Sequence, residues 1–163
     1  MKALLLALTL IFLIQFANAD TITGRVVGVA DGDTITILDS NNTQFKVRLA
    51  GIDAPEKKQA FGKVSKKSLS DLVFDKQVTV DWKKLDRYGR TIGKVLINGQ
   101  DINLEQINRG MAWFYKKYQN ELVLDDRLSY LHAQEFAESN NSGLWIDADP
   151  VAPWDFRKQK KVE

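Results

Sequence analysis

The sequence predicts an α+β, β-rich fold: a small closed barrel of five strands with about three helices packed outside it. Short runs of β-branched residues, separated by turn residues, fill residues 20–50. Helical spacing of apolar residues begins only after this region, and two further strand-like runs follow the first helical segment. Strands in two meander-like groups around a helix are typical of a barrel of the OB type.

Residues 1–19 have the pattern of an export signal. Lys2 provides a positive start, residues 3–16 are almost all apolar, and small residues close the segment at Ala17 and Ala19. The uncharged run is too short to span a bilayer comfortably, which favours cleavage over a membrane anchor. We therefore expect a mature chain that begins at Asp20, is secreted or periplasmic, and has no stable membrane insertion.

The composition excludes several kinds of site. The chain has no cysteine, which excludes disulfides, thiol catalysis and cysteine-based zinc sites. Its single histidine, His132, argues against a histidine-rich metal site and against a Ser-His-Asp triad. We expect this histidine to be packed and neutral beside an apolar stripe. Because 23 basic residues nearly balance 21 acidic ones, local charge clusters must indicate the partners.

The first three strands are predicted to form a meander. Residues 21–30 and 34–38 are β-branched runs joined by an Asp-Gly turn at residues 31–32, which is a strong hairpin signal. A second turn at residues 40–42 leads into a third strand over residues 44–49. Tight turns of this kind make consecutive strands antiparallel neighbours.

A helix and two more strands follow. Apolar residues at roughly helical spacing predict a basic, amphipathic helix over residues 61–73. Strands are expected over residues 77–82 and 91–97, with a turn at residues 86–90 between them. These two strands complete the set of five.

Two more helices and a tail are expected in the last third. Asp101 suits the N-cap of a short helix that Gly110 ends. A last helix of about four turns is predicted by its apolar stripe: Leu124, Leu128, Leu131 and Phe136. From residue 147 onward, prolines and basic residues predict a C-terminal tail. The chain thus divides into a signal peptide (1–19), an OB-fold domain (20–146) and a tail (147–163).

The strand over residues 44–49 leads into a turn that carries two acids. Its apolar residues alternate with Lys46 and Arg48, so one face is apolar and the other is cationic. Pro55 lies between Asp53 and Glu56 and fixes the backbone, which holds both carboxylates on one rigid loop. A guanidinium and two nearby carboxylates are what a metal-assisted attack on a phosphate needs.

Asp33 and Asp53 are candidate metal ligands. Each lies at a strand end, and a meander can bring those ends together. Two hard carboxylates, with backbone carbonyls and waters, suit calcium and need no nitrogen or sulfur ligand. Glu56 would then lie close enough to position or deprotonate a water. Taken singly, Asp33 is more typical of a plain hairpin turn, and Glu56 of a solvated turn.

Arg48 and Arg90 are candidates for binding a phosphodiester, because a planar guanidinium makes bidentate contacts to phosphate oxygens. Arg87 and Tyr88 lie on the same tight turn as Arg90, which places two guanidiniums and a phenol together. Any one of these arginines alone is more typical of a surface ion pair.

Tyr115 and Tyr118 are candidates for stacking on bases. The adjacent rings of Trp113 and Phe114 should point to different faces, which assigns part of this aromatic segment to the core. Lysines between residues 57 and 67, together with Lys83, Lys84 and Arg87, could line a groove for a nucleic-acid backbone, although solvated basic faces are equally common.

Taken together, these residues resemble the staphylococcal nuclease (thermonuclease) family from Arg25 to about Trp145. Three ordered blocks carry the resemblance: ADGDT at 30–34, RLAGIDAPE at 48–56 and DRYGR at 86–90. Shorter runs fit as well: NL at 103–104, RGMA at 109–112 and GLW at 143–145. Each block alone is moderate support, but all of them in order make the resemblance strong.

The resemblance implies an OB-type barrel with three helices and calcium-dependent cleavage of DNA and RNA that leaves 3′-phosphate ends. By motif position, calcium would be bound by the carboxylates of Asp33 and Asp53 and the main-chain carbonyl of Ala54. The catalytic residues by the same alignment are Arg48, Glu56 and Arg90. Tyr88 would help to hold a terminal phosphate.

The chain departs from the family pattern at three places. The best-known member of the family has threonine where Ala54 stands, but a backbone ligand survives that change. Tyr115 and Tyr118 do not align residue for residue with the family's nucleotide-stacking tyrosines, and the loop after Glu56 is short.

We therefore expect an exported, monomeric, calcium-dependent endonuclease whose substrates are DNA and RNA. Two other functions fit parts of the sequence. One is a domain that grips nucleic acid without cutting it, and the other is a surface protein that binds anionic wall polymers through its basic tail. The complete set of acids and arginines favours the enzyme, because a pure binder has no reason to retain all of them.

Overall fold

The computed structural model describes residues 20–160, so the predicted signal peptide lies outside the described residues. The strands in chain order are β1 Asp20–Asp31, β2 Thr34–Leu38, β3 Gln44–Leu49, β4 Ile52–Asp53, β5 Gln77–Leu85, β6 Thr91–Ile97, β7 Gln100–Asp101 and β8 Trp113–Phe114. The helices are α1 Gly62–Val73, α2 Ile102–Asn108, α3 Leu124–Ser139 and α4 Pro153–Gln159. Two 3₁₀ helices span Lys116–Glu121 and Gly143–Ile146.

Five strands close a mixed barrel in the order β3-β2-β1-β5-β6. Neighbours in this order pair antiparallel, and β3 pairs with β6 in parallel to close the barrel. The closing register places Val47 beside Thr91 and Leu49 beside Gly93. The predicted five-stranded OB-type barrel with helices outside it is confirmed.

β1 pairs with β2 on one side and with β5 on the other, and its pairing with β2 is irregular. The register with β2 shifts between Val26 and Gly28 and again between Val29 and Asp31. Such bulges increase local twist and re-aim the side chains beside them. The second shift lies directly before the turn that carries Asp33, so it helps to set where that side chain points.

The barrel interior is filled by β-branched residues that alternate along the strands, as in Ile35 and Ile37 of β2, which are fully buried. α2 is fixed to the barrel by a buried polar side chain, Asn103. Its Nδ2 donates to the carbonyls of Ala50 and Gly93, and its Oδ1 accepts from the Val95 N–H. The predicted N-cap, Asp101, accepts a hydrogen bond from the Leu104 N–H at 3.0 Å and is confirmed.

α3 buries a different face from the predicted one. Its buried residues are Tyr130, Ala133, Gln134 and Ala137. Of the predicted stripe, Leu124, Leu128 and Phe136 are exposed, and Phe136 has 63% of its surface in solvent. His132 is also exposed, so the expectation of a packed histidine is wrong. Ala137 of this face packs in a cluster with Leu144 and Trp145, and Tyr130 and Ala133 belong to the main core.

The predicted C-terminal tail contains α4. Pro153 stands at its first turn, Asp155 follows, and Arg157 and Lys158 lie in its last turn, the order that helix ends favour. Ala152 and Pro153 are buried, so this segment packs on the domain. Within residues 20–160, no helix is both long enough and apolar enough to cross a membrane.

Candidate active site

Barrel closure brings the β1–β2 turn next to the segment after β4. The Asp33 carbonyl accepts a hydrogen bond from the Leu49 N–H at 2.8 Å. The Asp33 Oδ2 accepts one from the Ala54 N–H at 2.8 Å, and its Oδ1 accepts one from the Thr34 hydroxyl at 2.9 Å. Both candidate carboxylates, Asp33 and Asp53, are buried. Two acids that are 20 residues apart in sequence therefore lie in one site.

Arg48 joins these two carboxylates. Its Nη1 binds Asp33 Oδ2 at 2.5 Å, and its Nη2 donates to Asp53 Oδ1 at 2.9 Å. Nη2 also lies 3.3 Å from the Ile52 carbonyl oxygen, which orients the guanidinium. Burial acts to raise the pKa of Asp33, but the Arg48 charge and hydrogen bond outweigh it and hold that pKa below its usual range.

Glu56 and Asp53 are joined by a second guanidinium, that of Arg157 in α4. Arg157 Nη2 donates to Asp53 Oδ2 and Nη1 donates to Glu56 Oε1, both at 2.7 Å. Burial raises the pKa of Asp53, and Asp33 adds to that effect, while the two arginines oppose it. We call Asp33, Asp53 and Glu56 the acid cluster. Arg48 and Arg157 connect its three members in one network.

Asp31 supports the turn beneath this network. Its Oδ1 accepts a hydrogen bond from the Asp33 N–H at 3.2 Å. Burial and the neighbouring Asp33 charge raise the pKa of Asp31 to about 6. Asp31 is therefore the acid of the turn that holds its proton most readily.

Arg90 lies on a separate turn, at the start of the strand that closes the barrel. The neighbouring Thr91 is the register partner of Val47, so Arg90 lies beside β3. Its Nε and Nη2 both bind Asp86 Oδ2 at 2.7 Å. Within the described residues, the network of Arg48 and the acid cluster does not include Arg90.

The same turn presents Tyr88 to solvent, with 67% of its surface exposed. The guanidinium carbons of Arg87 and Arg90 lie 4.7 and 5.5 Å from the centroid of its ring. Cation–π contacts at these distances hold the three side chains together. The turn therefore offers two cations and a phenol on one exposed surface, as the sequence predicts.

Tyr115 and Tyr118 lie together, with ring centroids 4.9 Å apart and edge to face. One face of Tyr115 is covered by Trp154 of α4, which stacks at 5.1 Å with the ring planes 3° apart. A cavity of about 460 Å³ adjoins these rings. Its lining includes Trp113, Tyr115, Lys116, Lys117, Trp154 and Lys158.

Arg157 and Trp154 are the site residues that the sequence prediction missed. The signal was present, because a proline, an acid and then basic residues in the order PWDFRK are typical of a short helix. The contact of Arg157 with the acid cluster was beyond prediction, since Arg157 lies 104 residues from Asp53 and docking of α4 brings them together.

The candidate ligands are the carboxylates of Asp33 and Asp53 and the backbone carbonyl of Ala54. All are oxygen donors, which hard cations such as calcium prefer. Among residues 20–160, no group of three or more acids, histidines or cysteines is spaced to hold a metal ion as it stands. Guanidinium groups contact both oxygens of Asp53 and one oxygen each of Asp33 and Glu56.

Comparison with known proteins agrees with this geometry. A family model described as staphylococcal nuclease homologue matches residues 46–147. An uncharacterized endonuclease of Haemophilus influenzae is 48% identical over 162 residues, which cover 99% of this chain and 88% of that protein. A micrococcal nuclease of Shigella flexneri is 41% identical over 147 residues, which cover 85% of this chain and 82% of that protein. The chain therefore belongs to the staphylococcal nuclease family.

Proposed function

We propose that this protein is an exported, calcium-dependent endonuclease that hydrolyses DNA and RNA and leaves 3′-phosphate ends. Its membership of a nuclease family establishes the reaction class. One observation above all supports the proposed mechanism. Asp33, Asp53, Glu56 and Arg48 belong to one hydrogen-bonded network, completed by Arg157, in which carboxylates and guanidiniums alternate. These are the groups that phosphodiester hydrolysis needs.

Calcium would be held by the carboxylates of Asp33 and Asp53 and by the main-chain carbonyl of Ala54. The hydrogen bond from the Ala54 N–H to Asp33 fixes the backbone of Ala54 beside that carboxylate. When bound, the ion supplies positive charge that polarises a phosphoryl oxygen and lowers the pKa of a water. A weak site suffices outside the cell, where calcium is abundant.

Glu56 accepts the proton of the attacking water. The water oxygen forms a bond to phosphorus while the bond from phosphorus to the 5′ oxygen breaks, so the phosphate stays on the 3′ side. The leaving oxygen takes up a proton from solvent. Arg48 and Arg90 offset the charge that develops on the non-bridging oxygens, which a fixed guanidinium does without reorganising.

Two basic cavities support contact with the nucleic-acid backbone. One cavity, of about 450 Å³, is lined by residues of the segment that follows Glu56, including Lys57, Lys58 and Lys63. The other is the aromatic cavity beside Tyr115, whose lining includes three lysines. Lysines in such grooves neutralise phosphates without reading sequence, which suits a nuclease that accepts DNA and RNA.

The nuclease assay tests the proposal directly. Mature protein should degrade single- and double-stranded DNA and RNA in millimolar calcium and lose activity in chelator. Equal activity in chelator, or none in calcium, would contradict it. Mass analysis of the product ends should find 3′-phosphates, and sequencing of the exported protein should begin at Asp20. Size-exclusion chromatography should show a monomer.

A substitution tests the role of Glu56. Glu56→Gln should lower turnover by about 10²–10⁴-fold, the range for loss of a general base. Glu121→Gln is a matched control, since the Glu121 and Glu56 side chains are 38% and 39% exposed and each contacts one basic side chain. The control should keep full activity. Near-full activity of Glu56→Gln would remove Glu56 from its assigned role.

A further inference from the structure

Arg157 is the residue of this site that neither the motif nor the proposed chemistry uses. Its guanidinium covers Asp53 Oδ2 at 2.7 Å, Glu56 Oε1 at 2.7 Å and Asp53 Oδ1 at 3.3 Å. Among residues 20–160, it is the one side chain that forms a hydrogen bond or ion pair with the Glu56 carboxylate. Pro55 holds the two residues on one loop, and Arg157 orients the Glu56 carboxylate toward that of Asp53.

The backbone that carries Arg157 is held from two sides. Trp154, one helical turn earlier, stacks on Tyr115 and packs edge to face on Trp113 at 5.6 Å. Trp113 is the strand partner of Asp53, so these rings rest on the strand pair that carries the site. On the other side, Gln59 Nε2 donates to the Val151 carbonyl at 2.6 Å. The start of α4 is therefore docked at the acid cluster.

The two guanidiniums of the network differ in how easily they can leave it. The Arg48 side chain is 16% exposed, comes from a barrel strand and lies between two buried carboxylates. The Arg157 side chain is 40% exposed and lies near the outer end of a short helix. Because Arg157 already contacts water, solvent screens its ion pairs more than those of Arg48, so moving the Arg157 guanidinium outward loses less attraction.

We propose that Arg157 is an internal counter-ion of the acid cluster. It neutralises and positions Asp53 and Glu56 in the metal-free protein, and it gives up Asp53 when a divalent cation binds there. The physical reason is charge: three clustered carboxylates need cations nearby, and a guanidinium and a divalent ion on the same oxygens repel each other. This inference rests on the proposed calcium site, and it assigns to α4 the control of that site's affinity.

The test measures calcium binding by isothermal titration calorimetry, without substrate. Arg157→Ala should bind Ca²⁺ at least about tenfold more tightly than wild type, because a positive charge is removed from the site. The calcium affinity of Arg157→Lys should lie between those of wild type and Arg157→Ala, since lysine keeps the charge but not the two-pronged contact. Lys158→Ala is the matched control, because Lys158 is the next residue and pairs with Asp155 of its own helix. It should bind like wild type.

Thermal unfolding provides an independent readout. In chelator, Arg157→Ala should unfold at a lower temperature than wild type, because Asp53 and Glu56 lose their counter-ion. Saturating calcium should remove most of that difference, since binding stabilises the variant more. A deficit of equal size with and without calcium would show a merely structural role and overturn the inference.

The outcomes separate the inference from the function on which it rests. Wild-type or weaker calcium affinity in Arg157→Ala would overturn the role of Arg157 alone. Asp53→Asn should bind calcium more weakly than wild type. If wild type and Asp53→Asn bind calcium with the same affinity, or if none of the proteins binds calcium, the proposed calcium site is wrong and the inference falls with it.

Discussion

Gln106 of α2 donates a hydrogen bond from its buried Nε2 to the Gly32 carbonyl oxygen at 2.8 Å. The same side chain accepts one from the Ser68 hydroxyl of α1 at 2.7 Å. One amide therefore ties two helices to the turn that carries Asp33. The helices outside the barrel contribute to the site by holding this turn against the end of the barrel.

Gln106→Leu should destabilise the protein by about 1–3 kcal/mol, because the change leaves the buried Gly32 carbonyl without its donor. Urea unfolding measures the loss. Gln100→Leu is the control, since Gln100 is exposed on β7 and its replacement should stay within about 0.5 kcal/mol of wild type. If both variants lose the same stability, the support of the turn does not come from the Gln106 amide.

Gly32 is required at the same turn for reasons of space. A Cβ built there would lie 1.8 Å from Ser65 Oγ and 2.8 Å from Ala54 Cβ. Ser65 cannot move freely, because it is buried and its hydroxyl donates to the Met111 carbonyl at 2.6 Å. The turn itself must therefore shift, and Asp33 must shift with it.

Gly32→Ala should lower stability by about 1–3 kcal/mol, the usual cost of overpacking, and should weaken calcium binding through the displaced Asp33. Gly28→Ala on β1, the strand before this turn, is the control, because its Cβ would meet Thr36 at an ordinary 3.7 Å. Unfolding and calcium titration measure both effects. Wild-type calcium affinity in Gly32→Ala would show that the turn accommodates the methyl group without moving Asp33.

Much of this arrangement was predictable from local sequence. The strands of the barrel follow from β-branched runs and their turns, and Pro55 holds Asp53 and Glu56 on one loop. The approach of Asp33 to Ala54 depends on long-range register, so the sequence allows it without proving it. The strand register of the folded barrel decides that Asp33 meets Ala54.

The misses have physical causes as well. The largest apolar residues of α3 predict one buried face, but the helix buries the face with Tyr130, Ala133 and Ala137, whose partners come from distant segments such as Leu144 and Trp145. A proline-containing, basic C terminus looks solvated when only charge is counted. Its docking depends on Trp154, whose stacking partner Tyr115 is supplied by a distant segment. Contacts of this kind leave no local periodic pattern.

The Asp86 carboxylate organises the turn that presents Arg90 and Tyr88. Its Oδ1 accepts hydrogen bonds from the Tyr88 and Arg90 N–H groups at 2.9 Å, and its Oδ2 binds the Arg90 guanidinium. Burial acts to raise the pKa of Asp86, but these hydrogen bonds outweigh it and lower the pKa below the usual 3.8. The ionised form is therefore favoured by folding.

The stabilisation from Asp86 depends on pH. Because the folded pKa is the lower one, the stability that Asp86 contributes is complete well above pH 3.8 and is lost as the pH falls through the folded value. Asp86→Asn should be less stable than wild type by the same amount at pH 7 and pH 5.5, and by a smaller amount near pH 3. Urea unfolding at the three values measures this. A difference that is constant down to pH 3 would mean that the ionised carboxylate is not the source.

Arg48 carries the largest predicted cost of any single charge in the site. It lies between Asp33 and Asp53, both buried, so Arg48→Ala leaves two carboxylates with one fewer counter-ion. Breaking a buried pair in this way costs about 3–5 kcal/mol. Calcium bound at the proposed site should restore part of that loss, because it would supply positive charge to the same carboxylates.

Arg48→Lys distinguishes charge from geometry. An ammonium group keeps the charge but cannot reproduce the fork that reaches Asp33, Asp53 and the Ile52 carbonyl together. We expect it to recover at least half of the stability lost in Arg48→Ala, yet to remain at least about tenfold less active than wild type. Lys46→Ala, on the exposed part of the same strand face, should stay within about 0.5 kcal/mol of wild type. Full activity in Arg48→Lys would show that this position needs only a positive charge, and that bidentate contact with the phosphate is not part of the reaction.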